Sequence, residues 1–150
     1  MPDEKTLVLI KPDAMVKKLA GSIISDLSFL NLKIIGLKLV KVSRDLAEKH
    51  YEEHKKKSFF NGLIEHLVGN LHNNENVIAI IYSGEDAIKK IREIAGATNP
   101  DKAIPSSIRG KYGKIHTETK CFETVIHTSD SRESAEREIA LWFKQEEIIE

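Results

Sequence analysis

Residues 125–143 read VIHTSDSRESAEREIALWF, and the rest of the chain is organised around them. An apolar strand end, Val125-Ile126, delivers His127 onto a Ser/Thr/Asp turn that opens an amphipathic helix. Asp130 and Glu133 have the spacing of a capping box. Ala135, Ile139, Trp142 and Phe143 recur at i, i+4, i+7 and i+8, which gives the helix one buried face. A helix begun beside His127 presents unpaired backbone N–H groups and a partial positive pole, both of which attract a phosphate.

Outward from this stretch, Thr6 to Ile10 is an apolar run with the length of a buried strand, and Pro12 stops it, so Lys11 sits at a strand end. Leu19 to Leu30 carries Ile23, Ile24, Leu27 and Leu30 on one side and predicts a helix. Lys33 to Val42 returns to strand composition. Asp45 or Ser43 caps a charged helix reaching about Lys56, and a second helical run follows from Phe59 to Val68. Gly69 to Asn76 is polar and predicts a loop. Val77 to Tyr82 is the most apolar strand candidate and should be central. Gly84 to Ile94 is helical. Residues 97 to 124 lack periodicity apart from a short helix around Ser107 to Tyr112. This order fits an α+β fold: a ferredoxin-like four-stranded antiparallel sheet covered by helices over one face, in one domain spanning 1–150.

Composition narrows the function. Hydrophobic content of 41% and charged content of 31% are those of an ordinary soluble globule. Twenty-three basic residues balance twenty-three acidic ones, so net charge points to neither a nucleic-acid nor a membrane surface. A polyanion would have to be gripped locally. The single cysteine, Cys121, forms no internal disulfide, and the opening MPDEKTLVLIK lacks the apolar core of a signal peptide, so the expected location is cytoplasmic. Glycine-rich loops of the G-x-x-x-x-G-K-[ST] type are absent. His50-Tyr51-Glu52-Glu53-His54 fits the H-x-x-E-H pattern of one class of zinc proteases. With no third ligand indicated, its plain reading is a solvated helix face, and Lys55-Lys56-Lys57 reads as a solvated basic run.

His127-Thr128-Ser129-Asp130-Ser131, followed by Glu133 to Glu138 and Leu141-Trp142-Phe143, resembles the signature of nucleoside diphosphate kinases. The resemblance runs from Thr6 through Lys11-Pro12-Asp13 to Phe143. It implies a Mg-dependent ping-pong transfer, in which a nucleoside triphosphate gives its terminal phosphoryl to His127 and a nucleoside diphosphate takes it. By the same resemblance Lys11 lies near the transferred phosphoryl, and Arg92 and Arg109 bind phosphates, for which a guanidinium fork is suited. Thr98 donates to the same phosphates. Tyr51 stands beside the histidine, Glu138 bonds the ring nitrogen opposite the attacking one, and Ser129 supports the site. Phe59 stacks the base, with Leu63 beside it. A π-face accepts every base, so broad nucleotide use is expected.

Three departures from the family pattern stand out. Thr124 occupies the place of an asparagine that bonds the ribose. Thr128 replaces a small residue, so its backbone must avoid positive φ. Segments 69–76 and 110–123 are longer than usual. The resemblance further implies a homo-oligomer, a hexamer or alternatively a tetramer, with Ala97 to Pro105 matching a loop at trimer contacts. A nucleotide-binding regulatory oligomer on the same scaffold, with reduced turnover, is the alternative function.

Overall fold

A computed structural model describes residues 3–150. In chain order the elements are β1 (Glu4–Ile10), α1 (Pro12–Val16), α2 (Ala20–Leu27), β2 (Lys33–Lys41), α3 (Arg44–His50), α4 (Phe60–Leu67), β3 (Asn76–Gly84), α5 (Ala87–Ala95), α6 (Ile108–Tyr112), β4 (Lys114–Ile115), β5 (Phe122–Glu123), β6 (Ile126–Thr128) and α7 (Arg132–Trp142). Short 3-10 turns follow α2, α3 and α7 and precede α6.

The main sheet runs β2-β3-β1-β6 with every pair antiparallel, which is the ferredoxin-like order. β1 and β3 are its inner strands, as the apolar runs predict. Helices cover both faces of this sheet, not one. Strand alternation sends Leu7 and Leu9 of β1 and Ala79 and Ile81 of β3 to one side, where they pack with Ala47, Ile64, Leu67, Trp142 and Phe143 from the α3, α4 and α7 layer. Val8, Ile10, Ile80 and Tyr82 point the other way and meet Ala14, Ile23, Leu27, Ile91 and Ile108 from α1, α2, α5 and α6. A strand buried on both faces has to be apolar at every position, and Val77 to Tyr82 is.

Other boundaries follow from local chemistry. Pro12 ends β1 and at the same time opens α1 as its first residue, where its missing N–H is no loss. Ser43 rather than Asp45 caps α3, its hydroxyl accepting from Leu46 N at 3.1 Å. The cap of α7 is Ser131, one residue later than the expected Asp130: its Oγ accepts from Ser134 N at 3.1 Å. Segment 110–123 runs from the end of α6 into a small hairpin in which β4 pairs with β5. Thr128 lies in β6 and is not among the positive-φ residues.

Candidate active site

The placement of His127 follows from its register. It pairs with Leu9, so its side chain leaves the sheet on the α3, α4 and α7 side, while Ile126 and Thr128 turn to the other. Lys11, two residues beyond Leu9, comes out on the same side as His127. The α7 helix packs across β1 and brings Glu138 underneath, so that His127 Nε2 lies 2.7 Å from Glu138 Oε1. Ser129 Oγ donates to that same carboxylate oxygen at 2.8 Å, and its own place is set by Leu7 N, which donates to it at 3.2 Å. Glu138 is 4 % exposed, so its carboxylate is presented in a site largely shielded from water. An ionised carboxylate can only accept, so Nε2 holds the ring proton and Nδ1 keeps a lone pair.

Four cationic or polar groups surround this ring's strand. Lys11, 3 % exposed, donates from Nζ to Thr124 Oγ1 at 3.0 Å. Burial holds the Lys11 ammonium below the ordinary lysine range, and the Asp13 charge offsets part of that. Arg109 donates through Nη1 to Gly96 O at 2.9 Å and through Nη2 to Ile126 O at 3.0 Å, clamping the backbone one residue before His127. Burial, opposed by Tyr51 and aided by Arg92, lowers the guanidinium to about 10, so it stays charged near neutrality. Arg92 is exposed and donates to Asp130 O at 3.1 Å, which fixes it over the start of α7.

Thr124, expected as a ribose contact, is turned inward. Its Oγ1 accepts from Lys11 and donates to Ile126 O at 3.3 Å, so its one proton is used within the protein. Thr98 stands exposed on the loop after α5, two residues beyond the Gly96 carbonyl that Arg109 grips. Phe59 is 52 % exposed at the start of α4, and Leu63, one turn on, is half-buried against the core. A file of rings connects this edge to the centre: Phe59 to His54 at 5.6 Å between centroids, His54 to Tyr51 at 6.3 Å, Tyr51 to His50 at 4.7 Å, and His50 to His127 at 4.3 Å. Tyr51 is buried, and burial raises its phenol above the ordinary range.

The ring against His127 is therefore His50, to which sequence reasoning assigned no part in this site. Trp142 Nε1 donates to its Nδ1 at 3.0 Å. An indole N–H only donates, so His50 carries its proton on Nε2, and deep burial holds it neutral. His50, His127 and Glu138 bring one potential ligand atom each within 4.8 Å of one another, with His127 Nε2 engaged by Glu138 and His50 Nδ1 by Trp142. The H-x-x-E-H run is a solvated face only in part: Glu52 and Glu53 are exposed, Glu53 reaching Arg137 at 3.7 Å, while His50 points inward and His54 meets Phe59. Its invisible signal was the donor that fixes His50, Trp142, ninety-two residues away.

A second residue without an assigned role is Asp13. Fully buried, it accepts from Val125 N at 2.9 Å through Oδ2. Val125 has φ +59 and centres a γ-turn closed by Ile126 N and Thr124 O at 2.7 Å, immediately before the strand of His127.

A carboxylate that fixes one ring nitrogen, a free Nδ1, three cations and an exposed aromatic together form a phosphoryl-transfer geometry. The family model for nucleoside diphosphate kinase matches residues 4–148. The chain belongs to the nucleoside diphosphate kinase family. The nucleoside diphosphate kinase of Pyrococcus horikoshii is 48% identical over 147 residues, covering 98% of this chain and 89% of the relative. The Borrelia burgdorferi kinase, solved as a transition state mimic with vanadate and ADP, superposes with a TM-score of 0.88 at 32% identity, covering 100% of this chain and 92% of that one. The Halobacterium salinarum kinase in complex with CDP gives 0.88 at 36% identity, covering 99% and 92%. The family is that of a nucleotide phosphotransferase, and this chain is one of its enzymes.

Proposed function

We propose that His127 is the phosphoryl carrier of this nucleoside diphosphate kinase and that the cluster above is its working site. The Nδ1 lone pair attacks the terminal phosphorus of a nucleoside triphosphate. A P–N bond forms, the P–O bond to the leaving diphosphate breaks, and Glu138 stabilises the positive ring through Nε2. An oxygen of the incoming diphosphate then attacks the same phosphorus, the P–N bond breaks, and neutral imidazole returns. The observation that carries this reading is the 2.7 Å bond between Nε2 and Glu138, which selects Nδ1 as the nucleophile.

Lys11, Arg92 and Arg109 supply positive charge along the path of the phosphates, and Thr98 a hydroxyl donor. Phe59 and Leu63 offer an apolar edge for the base, with Tyr51 linking it to the centre. Lys11, Arg92 and Arg109 are cationic, and Glu138 is engaged by His127 and Ser129, so these side chains suit a magnesium ion held by the nucleotide's own phosphates. When bound there it would neutralise phosphate charge. The substrates by this reading are nucleoside di- and triphosphates, used in the cytoplasm.

We read the protein as a homo-oligomer as well, hexamer or tetramer. Edge strand β2 leaves Ile34, Leu37 and Leu39 exposed, with Phe29 nearby, and an apolar strand edge is a surface that a second copy can cover. Among the described residues no helix is long and apolar enough to cross a membrane.

The deciding experiment mixes protein, magnesium and γ-labelled ATP, isolates the protein, and chases with unlabelled GDP or UDP. Acid-labile, alkali-stable label that is absent in His127→Ala and leaves as labelled triphosphate is the expected result. Nucleotide binding without label would favour a regulatory binding protein instead.

A further inference from the structure

At the turn that leads into the strand of His127 lies a second line of buried ionisable groups. Asp13 Oδ1 is 3.2 Å from His66 Nε2 on α4, and both residues are 0 % exposed. The His66 ring lies edge-on to His72 at 5.2 Å, and His72 Nε2 meets Glu123 Oε1 on β5. Asp13 Oδ1, His66 Nδ1 and Nε2, His72 Nδ1 and Glu123 Oε2 are buried with no well-aligned hydrogen-bond partner. These groups bring no three donor atoms to a common point among the described residues, so they form pairs and not a cation cage. Keeping a carboxylate this deep is costly, and the one well-formed bond Asp13 makes is to the Val125 N–H.

That N–H belongs to a residue under strain. Val125 is β-branched and holds φ +59, a region such residues resist. Its carbonyl is tied to Lys11 N at 2.9 Å, and its amide is tied to Asp13. Both ties come from the segment that ends β1 and opens α1, so Lys11-Pro12-Asp13 grips the turn at its two polar ends.

We infer that Asp13 is a positioning residue for phosphoryl transfer: its carboxylate, packed against His66, holds Val125 in the left-handed turn that sets where β6 carries His127. The inference rests on His127 being the carrier. It gives the Lys-Pro-Asp run a second task beside Lys11. It also connects segments 69–76 and 110–123 to the chemistry, because His72 in the first packs its ring against His66 and meets Glu123 in the second.

The test measures single-turnover phosphorylation of the protein by ATP, together with kcat and KM, for Asp13→Ala and Asp13→Asn in wild-type and Val125→Gly backgrounds. Glycine adopts positive φ without strain, so it removes the need for a brace. Comparison within each background cancels the cavity left by valine. Asp13→Ala is expected to slow phosphorylation by about 10- to 100-fold, the scale set by small misplacements of a reacting group, with nucleotide KM little changed. Asp13→Asn, which keeps an acceptor oxygen, recovers most of the rate. In the Val125→Gly background the Asp13→Ala loss shrinks to below about threefold by the same positioning logic. Equal losses in both backgrounds would assign the effect to the missing charge beside Lys11 and overturn the proposal, as would a wild-type rate for Asp13→Ala. Should Asp13→Ala not fold, His66→Gln replaces it, with the same rescue expected and the same equality overturning it. A wild-type protein that never labels would remove the carrier reading itself. A labelling wild type whose Asp13 loss ignores Val125→Gly removes the positioning role alone.

Discussion

At the residue scale, two buried histidines make stability depend on pH with a sign that can be worked out. His66 is neutral in the fold because burial lowers it from 6.5 to about 4, against the pull of Asp13. As pH falls from 6.5 towards 4, the unfolded chain binds a proton that the folded one refuses, so stability drops across that window. From His66 alone the loss between pH 7 and pH 5 is about 2 kcal/mol. His50, also held well below its ordinary value, adds in the same direction. Asp13, whose carboxyl the His66 contact and Lys11 help to hold below the usual carboxylate range, stays ionised throughout that window and loses its contribution only at more acid pH. Denaturant unfolding at pH 7 and pH 5 should therefore show the drop in wild type and a smaller one in His66→Leu. Equal slopes in the two proteins would contradict it. None of this was legible in the sequence. His66 sits in an ordinary amphipathic run, and the carboxylate that meets it is fifty-three residues upstream. His127 was legible as a histidine at a strand-to-helix junction, and Glu138 and Ser129 through the resemblance to the kinase signature; the structure brings the three together within one strand, one turn and one helix.

At the element scale, local rules read well where the deciding partner is near in sequence and poorly where it is not. Pro12 is both a strand stop and a good first helical residue, and only the stop was read, so α1 went unseen. The two-residue strands β4 and β5 carry too little pattern to register before they pair. Coverage of both sheet faces could have been read from Val77 to Tyr82, since a strand with one wet face would alternate. The start of α7 matters most for function, because Glu138 hangs from it. Both Asp130 and Ser131 are residue types that cap helices, and sequence spacing alone favoured the former. The Ser131 hydroxyl takes the Ser134 N–H, so Ser131→Ala should cost about 1 kcal/mol, as lost caps do. A thermal or denaturant midpoint unchanged in that variant would return the cap to Asp130. Activity should fall little at ambient temperature, since Glu138 sits two turns further along and is held by His127 and Ser129.

At the scale of the whole molecule, the unfinished part of the fold is the β2 edge. The opposite edge, β6, is only three residues long, whereas on the nine-residue β2 Leu37 and Leu39 are 53% and 61% exposed, opposite Ile80 and Ile78 of β3. Those partners point to the α2 and α5 side, where the helices stop short of the last strand. On the other side the same strand is sealed, because Gly36 leaves room for Phe143, whose Cε1 would lie 3.1 Å from any added Cβ. A long edge strand with one face sealed and the other apolar invites pairing, and soluble proteins block such edges with charge unless a copy of themselves covers them. Lys33 and Lys41 sit at the ends of β2, and mid-strand Lys38 is engaged with Glu147 on the other face, so no charge stands between Leu37 and Leu39 on theirs. Wild-type protein should therefore run above its monomer mass of 16.9 kDa in light scattering at micromolar concentration. Leu37→Lys with Leu39→Lys should reduce the assembly while leaving the fold intact, because both side chains already face solvent in the isolated chain. A wild-type monomer mass would sink the assembly. A wild-type oligomer that survives both lysines would move the contact elsewhere, with the exposed Ile104 in the 97–105 loop as the next place to place a charge.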